Sequence, residues 1–441
     1  MKKIFLILIF ALLFQNAESQ SYWSLISTPT TSLLKVCHFT DSLTGWAAGD
    51  SATIIKTVNG GYNWTRQPCP IQENIHSLFF LNKRLGWALS WNVTNPNRYG
   101  TIILKTTNGG TNWDSTFFPV NDLFYNLIMF QDSLTGWLGG FPDNIRKTTD
   151  GGHSWDLCGI DSSNVMGFPI RSFAFYNKQY GFGGGGFYDL AGVMFRTTNS
   201  GLNWSSEVVS PEPVNDMFIF DSLTVIGVGG DIEYGSGIVK TTNGGANWKY
   251  QNLGLFGIAY SVSFRNRLEG WSPQGFVSRF IYTLEGGEIW DTVSTPNFTN
   301  IYDVQFVDST HGFAVGGYGE TGIGGVILKY NPQLIGINGS DPVSVPDKNY
   351  LFQNFPNPFN PSTTIKYSLV NNCYVNLKVY DLLGKEIRTL QDGFQRKGDH
   401  QLKFAADNLP SGVYFYKLFT RELISGNSQE KTEFRKMVVV K

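Results

Sequence analysis

Ile55-Lys56-Thr57-Val58-Asn59-Gly60-Gly61-Tyr62-Asn63-Trp64 is the stretch on which the reading of this chain turns, because it recurs. LKTTNGGTNW ends at Trp113, RKTTDGGHSW at Trp155, FRTTNSGLNW at Trp204, VKTTNGGANW at Trp248, and a degraded IYTLEGGEIW at Trp290. The tryptophans lie 49, 42, 49, 44 and 42 residues apart, the period of a four-stranded propeller blade. A second block precedes each copy: FTDSLTGWAAG from Phe39, FLNKRLGWALS from Phe80, FQDSLTGWLGG from Phe130 and FYNKQYGFGGG from Phe175, with later versions from Ile219, Phe264 and Phe306. Each unit reads as strands A to D. A ends before the DSLT-type turn, B is the Gly-Trp segment, C is the Ile-x-Lys-Thr run, and D starts at the repeat Trp. In the turn between C and D, Asn59, Asn108, Asp150, Asn199 and Asn243 fold back onto the backbone and the glycines accept positive φ. Trp64, Trp113, Trp155, Trp204, Trp248 and Trp290 then supply buried area between neighbouring blades.

The ends of the array set the blade count. A seventh unit runs through Val304-Gln305-Phe306, Gly312-Phe313 and Ile327-Leu328-Lys329-Tyr330 and stops without strand D. Tyr22-Trp23-Ser24-Leu25-Ile26 reads as the missing strand, so residues 20–330 are expected to close as seven blades that leave no sheet edge exposed.

Composition agrees with an all-β chain and excludes other classes. Of 441 residues, 16% are charged and 15% aromatic, with 49 glycines, which argues against coiled coil and disorder. Lys plus Arg number 34 against 35 Asp plus Glu, a net charge of -1, so no nucleic-acid partner is expected. The cysteines Cys37, Cys69, Cys158 and Cys373 and the five histidines are scattered, so neither a metal site nor a cofactor is expected; a Cys37–Cys69 pair stays open.

Both ends read as addresses. Lys2-Lys3, an apolar run from Ile4 to Phe14 and Ala17-Glu18-Ser19 suit a signal peptide over residues 1–19. No later run is long and apolar enough for a transmembrane segment. Residues 331–349 read as a linker, and 350–441 as a small Ig-like β-sandwich of alternating strands between Pro and Gly turns.

The Thr106 to Trp113 block is similar to the Asp-box, or BNR repeat, of sialidases, the sortilin luminal domain and xyloglucanases. The Gly-Trp plus KTTNGG-x-NW combination resembles the photosystem II assembly and stability factor family, which implies a seven-bladed propeller that binds proteins. Pro356-Asn357-Pro358-Phe359-Asn360-Pro361, Asp381-Leu382-Leu383-Gly384 and Leu409-Pro410-Ser411-Gly412-Val413-Tyr414 closely resemble the type A sorting domain of the type IX secretion system. That resemblance implies a Bacteroidetes/Chlorobi protein delivered by the type IX machinery, its partner through the C-terminal domain, to the cell surface or the medium.

Function is less legible. Sialidases use an arginine triad, but Arg196 occupies the repeat-Lys position, Arg84 and Arg267 fall in A to B turns, and the Phe-Arg-Ile-Pro motif is absent. No catalytic residue is expected. A glycoside hydrolase built on carboxylates such as Asp189, Asp231, Glu233 and Glu320 is the alternative, and a photosystem assembly factor is a third. From the strand B aromatic position to the repeat Lys position the counts are 10, 18, 10, 14, 14, 11 and 16, so blades two, four, five and seven carry insertions in their B to C loops. These hold Trp91, Arg98, Tyr99, Phe187, Tyr188, Asp189, Glu233, Tyr234, Tyr318 and Glu320, rigid aromatics mixed with charges that suit an unidentified protein or glycan ligand. Four positions before the end of strand A stand Lys35, His76, Asn126, Arg171, Asn215, Tyr260 and Tyr302, all polar or polar-tipped. Two positions later the set is apolar, so this ring is expected at the channel mouth on the face of the B to C loops.

Overall fold

The computed structural model describes residues 22–441 except 143, 162–164, 166, 320–323, 333–348, 370–372, 383, 396–397, 407–408 and 425–426; the signal-peptide reading, Glu320, Leu383 and most of the linker lie outside the described residues. The chain divides into two compact units, Met1–Ile335 and Gly336–Lys441. The first is a seven-bladed β-propeller whose blades are antiparallel sheets in the order A-B-C-D. Blade one is Leu34–Phe39, Gly45–Gly49, Ile54–Thr57 and Thr65–Arg66. Blade seven takes Thr299–Phe306, Gly312–Tyr318 and Gly325–Tyr330 from the end of the array and Trp23–Ile26 from its start, in register from Trp23 opposite Tyr330 to Ile26 opposite Ile327. Trp23 therefore stands where the other blades carry the repeat Trp.

Two details differ from expectation. Strand D begins one residue after the repeat Trp in five blades, because the indole is still part of the turn: Trp64 Nε1 donates to the Gly61 carbonyl at 3.1 Å. Blade four gains a fifth strand, Gly159–Ile160, parallel to the start of Asn203–Ser210.

The repeat motifs are explained by what fills the space between blades. Phe39, the last residue of strand A, lies flat over Gly45, where a Cβ would come within 2.2 Å of its ring. The same holds at Gly86, Gly136, Gly181, Gly270 and Gly312. Only in blade five does Ile219 replace the Phe, and there Val225 replaces the Gly. At four junctions the next residue, the strand B aromatic, stacks on the strand A Phe of the following blade: Trp46 on Phe80 at 3.5 Å, Trp87 on Phe130 at 3.6 Å, Trp137 on Phe175 at 4.3 Å, and Phe313 on Phe39 at 3.8 Å across the closure. Each such Phe meets the repeat Trp of its own blade edge-on, as Phe80 meets Trp113 at 5.8 Å, an arrangement the ring quadrupoles favour.

A second link runs around the ring. Lys56 Nζ donates to Gly109 O, Lys105 to Gly151 O, Lys147 to Ser200 O, Lys240 to Gly286 O and Lys329 to Gly60 O, all at 2.7–2.9 Å. Each of these five lysines thus reaches the Asp-box turn of the next blade. Blade six precedes the blade that has no such turn, and its equivalent residue is Tyr282, packed 5.8 Å from Tyr22. Within the turn, Thr57 Oγ1 accepts from Gly61 N–H and Asn59 Oδ1 from Asn63 N–H, both at 3.0 Å, with Gly60 and Gly61 at φ 69° and 82°. Asn108, Asp150, Asn199 and Asn243 repeat the latter contact. Cys37 and Cys69 do not pair, and Cys37 is sealed in the core between blades seven and one.

The second unit is a β-sandwich. A sheet of Tyr350–Leu351, Ser362–Leu369 and Gly398–Ala405 shares one core with a sheet of Glu386–Gln395, Cys373–Tyr380, Gly412–Ile424 and Asn427–Val439. Phe359 of the Pro-Asn-Pro-Phe block donates to Val438 O and accepts from Val440 N–H, both at 3.0 Å, which ties that block to the last strand.

Candidate functional site

Strand A of each blade packs beside strand A of the next, so these strands line the channel. Their inner edges carry backbone N–H groups with no ladder partner, and side chains from the preceding blade accept from them. Asp303 accepts from Cys37 N–H and Asp216 from Val262 N–H, each at 2.8 Å, while Ser77 accepts from Ile128 N–H at 3.2 Å. Burial raises both carboxyls, Asp216 to about 7, and Ser261 Oγ donates to Asp303 at 2.7 Å.

The polar ring has a backbone cause. In six blades the pairing of A with B slips by one residue, and the unpaired residue is Lys35, His76, Asn126, Arg171, Asn215 or Tyr302. Such a bulge re-aims one side chain out of the sheet. Tyr260, the seventh, precedes the short strand Ser263–Phe264, and its N–H donates to Pro273 O at 3.1 Å. All seven are half-buried.

What the ring residues touch sorts them. Lys35 pairs with Asp50 at 2.6 Å. The Asn126 amide, oriented to suit the surrounding carbonyls, donates to Ile170 O at 2.8 Å and Gly139 O at 2.9 Å, and Asn215 donates to Ala259 O at 3.1 Å, so both fasten adjoining blades. His76 stacks on Trp91 at 4.0 Å and is pushed down to about 4 by burial and then by Lys35, against the opposing Asp50, so it is neutral at physiological pH. Arg171 lies 4.8 Å from the Tyr188 ring, and Tyr260 meets Tyr302 edge-on at 5.2 Å.

The B to C loops divide similarly. Trp91, expected as a free anchor, is instead spent on packing: its Nε1 donates to Tyr125 O at 2.7 Å, Phe124 meets it edge-on, and His76 covers a face. Arg98 sits 4.8 Å over Phe117, and Tyr99 packs edge-on to Phe124. Tyr188, Tyr234 and Tyr318 keep large exposed areas. Asp189, Glu212 and Asp231 bring a carboxylate oxygen each within 4.8 Å of one another, the group of described side chains that could hold a cation. Glu212 is only 3% exposed; burial raises its carboxyl, with Asp231, Asp189 and Glu233 adding to the shift. Asp189 N–H donates to Glu212 and Tyr234 N–H to Asp231, so backbone contacts already occupy these acids. Arg84 and Arg267 lie in A to B turns, Arg267 on Asp221 at 2.8 Å.

Residues that loop-length comparison passes over complete this face. Phe256 and Phe298 sit in D to A connections and Phe276 in the short B to C loop of blade six, 57%, 72% and 39% exposed. Phe256 and Phe276 touch edge-on at 6.1 Å, and Ser278 Oγ donates to Phe298 O at 2.8 Å. Asn297 and Phe298 both stand at φ 52°, a conformation costly for Phe and held here by hydrogen bonds of Thr295 and Thr299. An exposed aromatic in a D to A loop was the available signal.

Among the described residues no helix is long and apolar enough to cross a membrane. Residues 15–121 match the family of photosynthesis system II assembly factor YCF48, and residues 353–439 match the secretion system C-terminal sorting domain. No curated protein matches the chain. Among solved structures the fold is similar to YCF48 bound to a D1 peptide (TM-score 0.55, 19% identity, 70% of this chain and 97% of that one). It is similar to YCF48 from Cyanidioschyzon merolae (0.55, 18%, 71% and 99%) and to the GH74 xyloglucanase of Xanthomonas campestris (0.52, 11%, 90% and 79%). At these identities the likeness is one of fold. The chain thus joins a propeller similar to YCF48 to a secretion system C-terminal sorting domain, which points to a secreted or cell-surface protein.

Proposed function

We propose that this protein is a secreted or cell-surface, non-catalytic binding module, delivered by the type IX machinery through residues 350–441 after removal of residues 1–19, with residues 20–330 as the binding domain. The observation that carries the reading is the convergence of the bulged ring, the long B to C loops and the exposed phenylalanines on one face. A protein ligand is supported by the rigid aromatics there and, by analogy, by a related propeller having been solved with a peptide. Photosystem assembly sits badly with an export domain.

One observation favours glycoside hydrolysis as a second reading: the buried Glu212 carboxyl beside Asp189 and Asp231 is the kind of group that serves as a general acid. A glycan array run beside a hydrolysis screen and a peptide-binding screen on the mature chain separates the two. Turnover of any glycan, abolished by Glu212→Gln, would replace the binding reading with the hydrolase.

A further inference from the structure

Arg171 differs from every other charged member of the ring. Its half-buried guanidinium lies against Tyr188 and makes no ion pair or hydrogen bond among the described residues, and its Nε is shut off from solvent. A partly desolvated cation without a counter-charge is costly, and packing against one ring does not offset that cost. Lys35, by contrast, has Asp50.

Beside Tyr188, which Arg171 touches, the ring members of blades six and seven are also donors. Tyr260 and Tyr302 are neighbours across blades six and seven, and Gly275 beneath them, at φ 56°, leaves the room a Cβ would take, 2.4 Å from the Tyr260 ring. The Tyr260 phenol is pushed up to about 12 by burial, with Tyr188 and Tyr302 adding to it, so it keeps its proton. None of the three phenols hydrogen-bonds to another described residue. A guanidinium and phenolic O–H groups at one channel mouth together match a carboxylate.

Two neighbours narrow the source of that carboxylate. Next to Tyr188, Asp189 with Glu212, Asp231 and Glu233 forms an acidic flank whose repulsion grows with each charge on a ligand and so disfavours a polyanion more than a single carboxylate. On the other side, Gly275 leads into Phe276, and the loops 253–258, 273–278 and 295–299 contain no ionisable residue while exposing Phe256, Phe276 and Phe298. Among the described ring residues the aromatics are already engaged with one another or with loop side chains. Arg171 covers a face of Tyr188, and Tyr260 and Tyr302 are set edge to face over Gly275.

We propose that the channel mouth is a carboxylate subsite for an otherwise apolar protein segment: Arg171 receives one acidic side chain or chain terminus, Tyr188, Tyr260 and Tyr302 donate to it, and the Phe256, Phe276 and Phe298 patch covers the apolar residues beside it. The proposal rests on the binding-face reading above and adds the chemistry of the ligand.

The test pans the mature protein against a displayed library of random twelve-residue peptides with free C-termini. The tightest peptide is then synthesised with each carboxylate in turn replaced by its amide and titrated by fluorescence anisotropy. Expected is one carboxylate whose amide binds wild type about tenfold more weakly, a loss that vanishes on Arg171→Gln and partly returns on Arg171→Lys. Tyr302→Phe, which keeps the ring over Gly275, should weaken the acid severalfold and leave the amide unchanged; melting curves show that each variant is folded. Acid and amide binding alike, or Arg171→Gln binding as wild type, overturns the subsite. If peptides bind yet neither Arg171, Tyr234 nor Phe298 variants matter, the binding face itself is misassigned. Arg171-dependent binding of a trigalacturonate probe with no peptide enriched overturns the protein segment and keeps the face.

Discussion

Replacing Trp23 by Ala tests the closure of the propeller at its most loaded point. Trp23 is 2% exposed, stacks on Phe280 at 5.1 Å and 15°, and meets Trp271, Tyr330 and Phe306 at 5.6, 5.3 and 5.7 Å. Truncating a buried Trp costs about 3–5 kcal/mol, and about 200 Å² of buried surface at about 25 cal/mol per Å² returns the same figure. For a large domain the midpoint moves about 2 °C per kcal/mol, so a fall of roughly 6–10 °C is expected. Trp64→Ala is the internal standard, since Trp64 holds the same register in blade one but lies inside the continuous chain. Both variants are measured as the mature chain by calorimetry and by far-ultraviolet circular dichroism. If Trp64→Ala melts early while Trp23→Ala stays within about 1 °C of wild type, the N-terminal strand is not docked on Gly325–Tyr330 and the closure argument fails.

Three further outcomes follow from particular contacts. Asp216 has its folded pKa raised to about 7 by burial, so the stability it contributes is fully present below the unfolded value of about 3.9 and is lost as pH rises through 7. His38 and His76, depressed to about 4, act in the opposite sense below about 6.5, so the clean window is pH 6.5–8: there Asp216→Asn should melt above wild type by a margin that grows with pH, and parallel profiles would contradict the assignment. Lys329→Met removes the donor to Gly60 O and the cation 3.9 Å from the Tyr62 ring, and should cost about 1–3 kcal/mol in urea unfolding; Lys329→Arg should recover part of it, and equal loss in both would deny the contact its role. Deleting residues 436–441 removes Met437 and Val439 from the sandwich core and the partner of Phe359, so the propeller should remain folded but be retained in the periplasm; normal surface display of the truncation, scored by protease access on whole cells, would count against the sorting assignment.

The blade count, the turn chemistry and the closure by Trp23 were readable from the linear chain, because a blade is a local unit. Its Phe, Gly, Trp, Lys and Asn recur at short spacing and each does the same work seven times or nearly so. The paired exchange of Phe and Gly for Ile219 and Val225 in blade five was on the page as well, though its cause, a ring lying flat where a Cβ would stand, needs coordinates. The candidate site was legible only in outline. Its ring was visible as a polar register, but whether a member is free depends on what the adjoining blade places opposite it. Asn126 and Asn215 turned out to fasten blades, Trp91 to pack under His76, and Arg171 to lie against Tyr188 with no ion pair among the described residues. Phe298 was passed over because loop length marks insertions and says nothing of a side chain held outward by a strained turn. Sequence by itself determined the repeating unit and its number, since those follow from hydrophobic period and turn residues within about 45 positions. Tertiary structure alone decided which polar groups remain unsatisfied, because satisfaction is a property of pairs brought together across blades, and no spacing along the chain encodes the neighbour a side chain will meet.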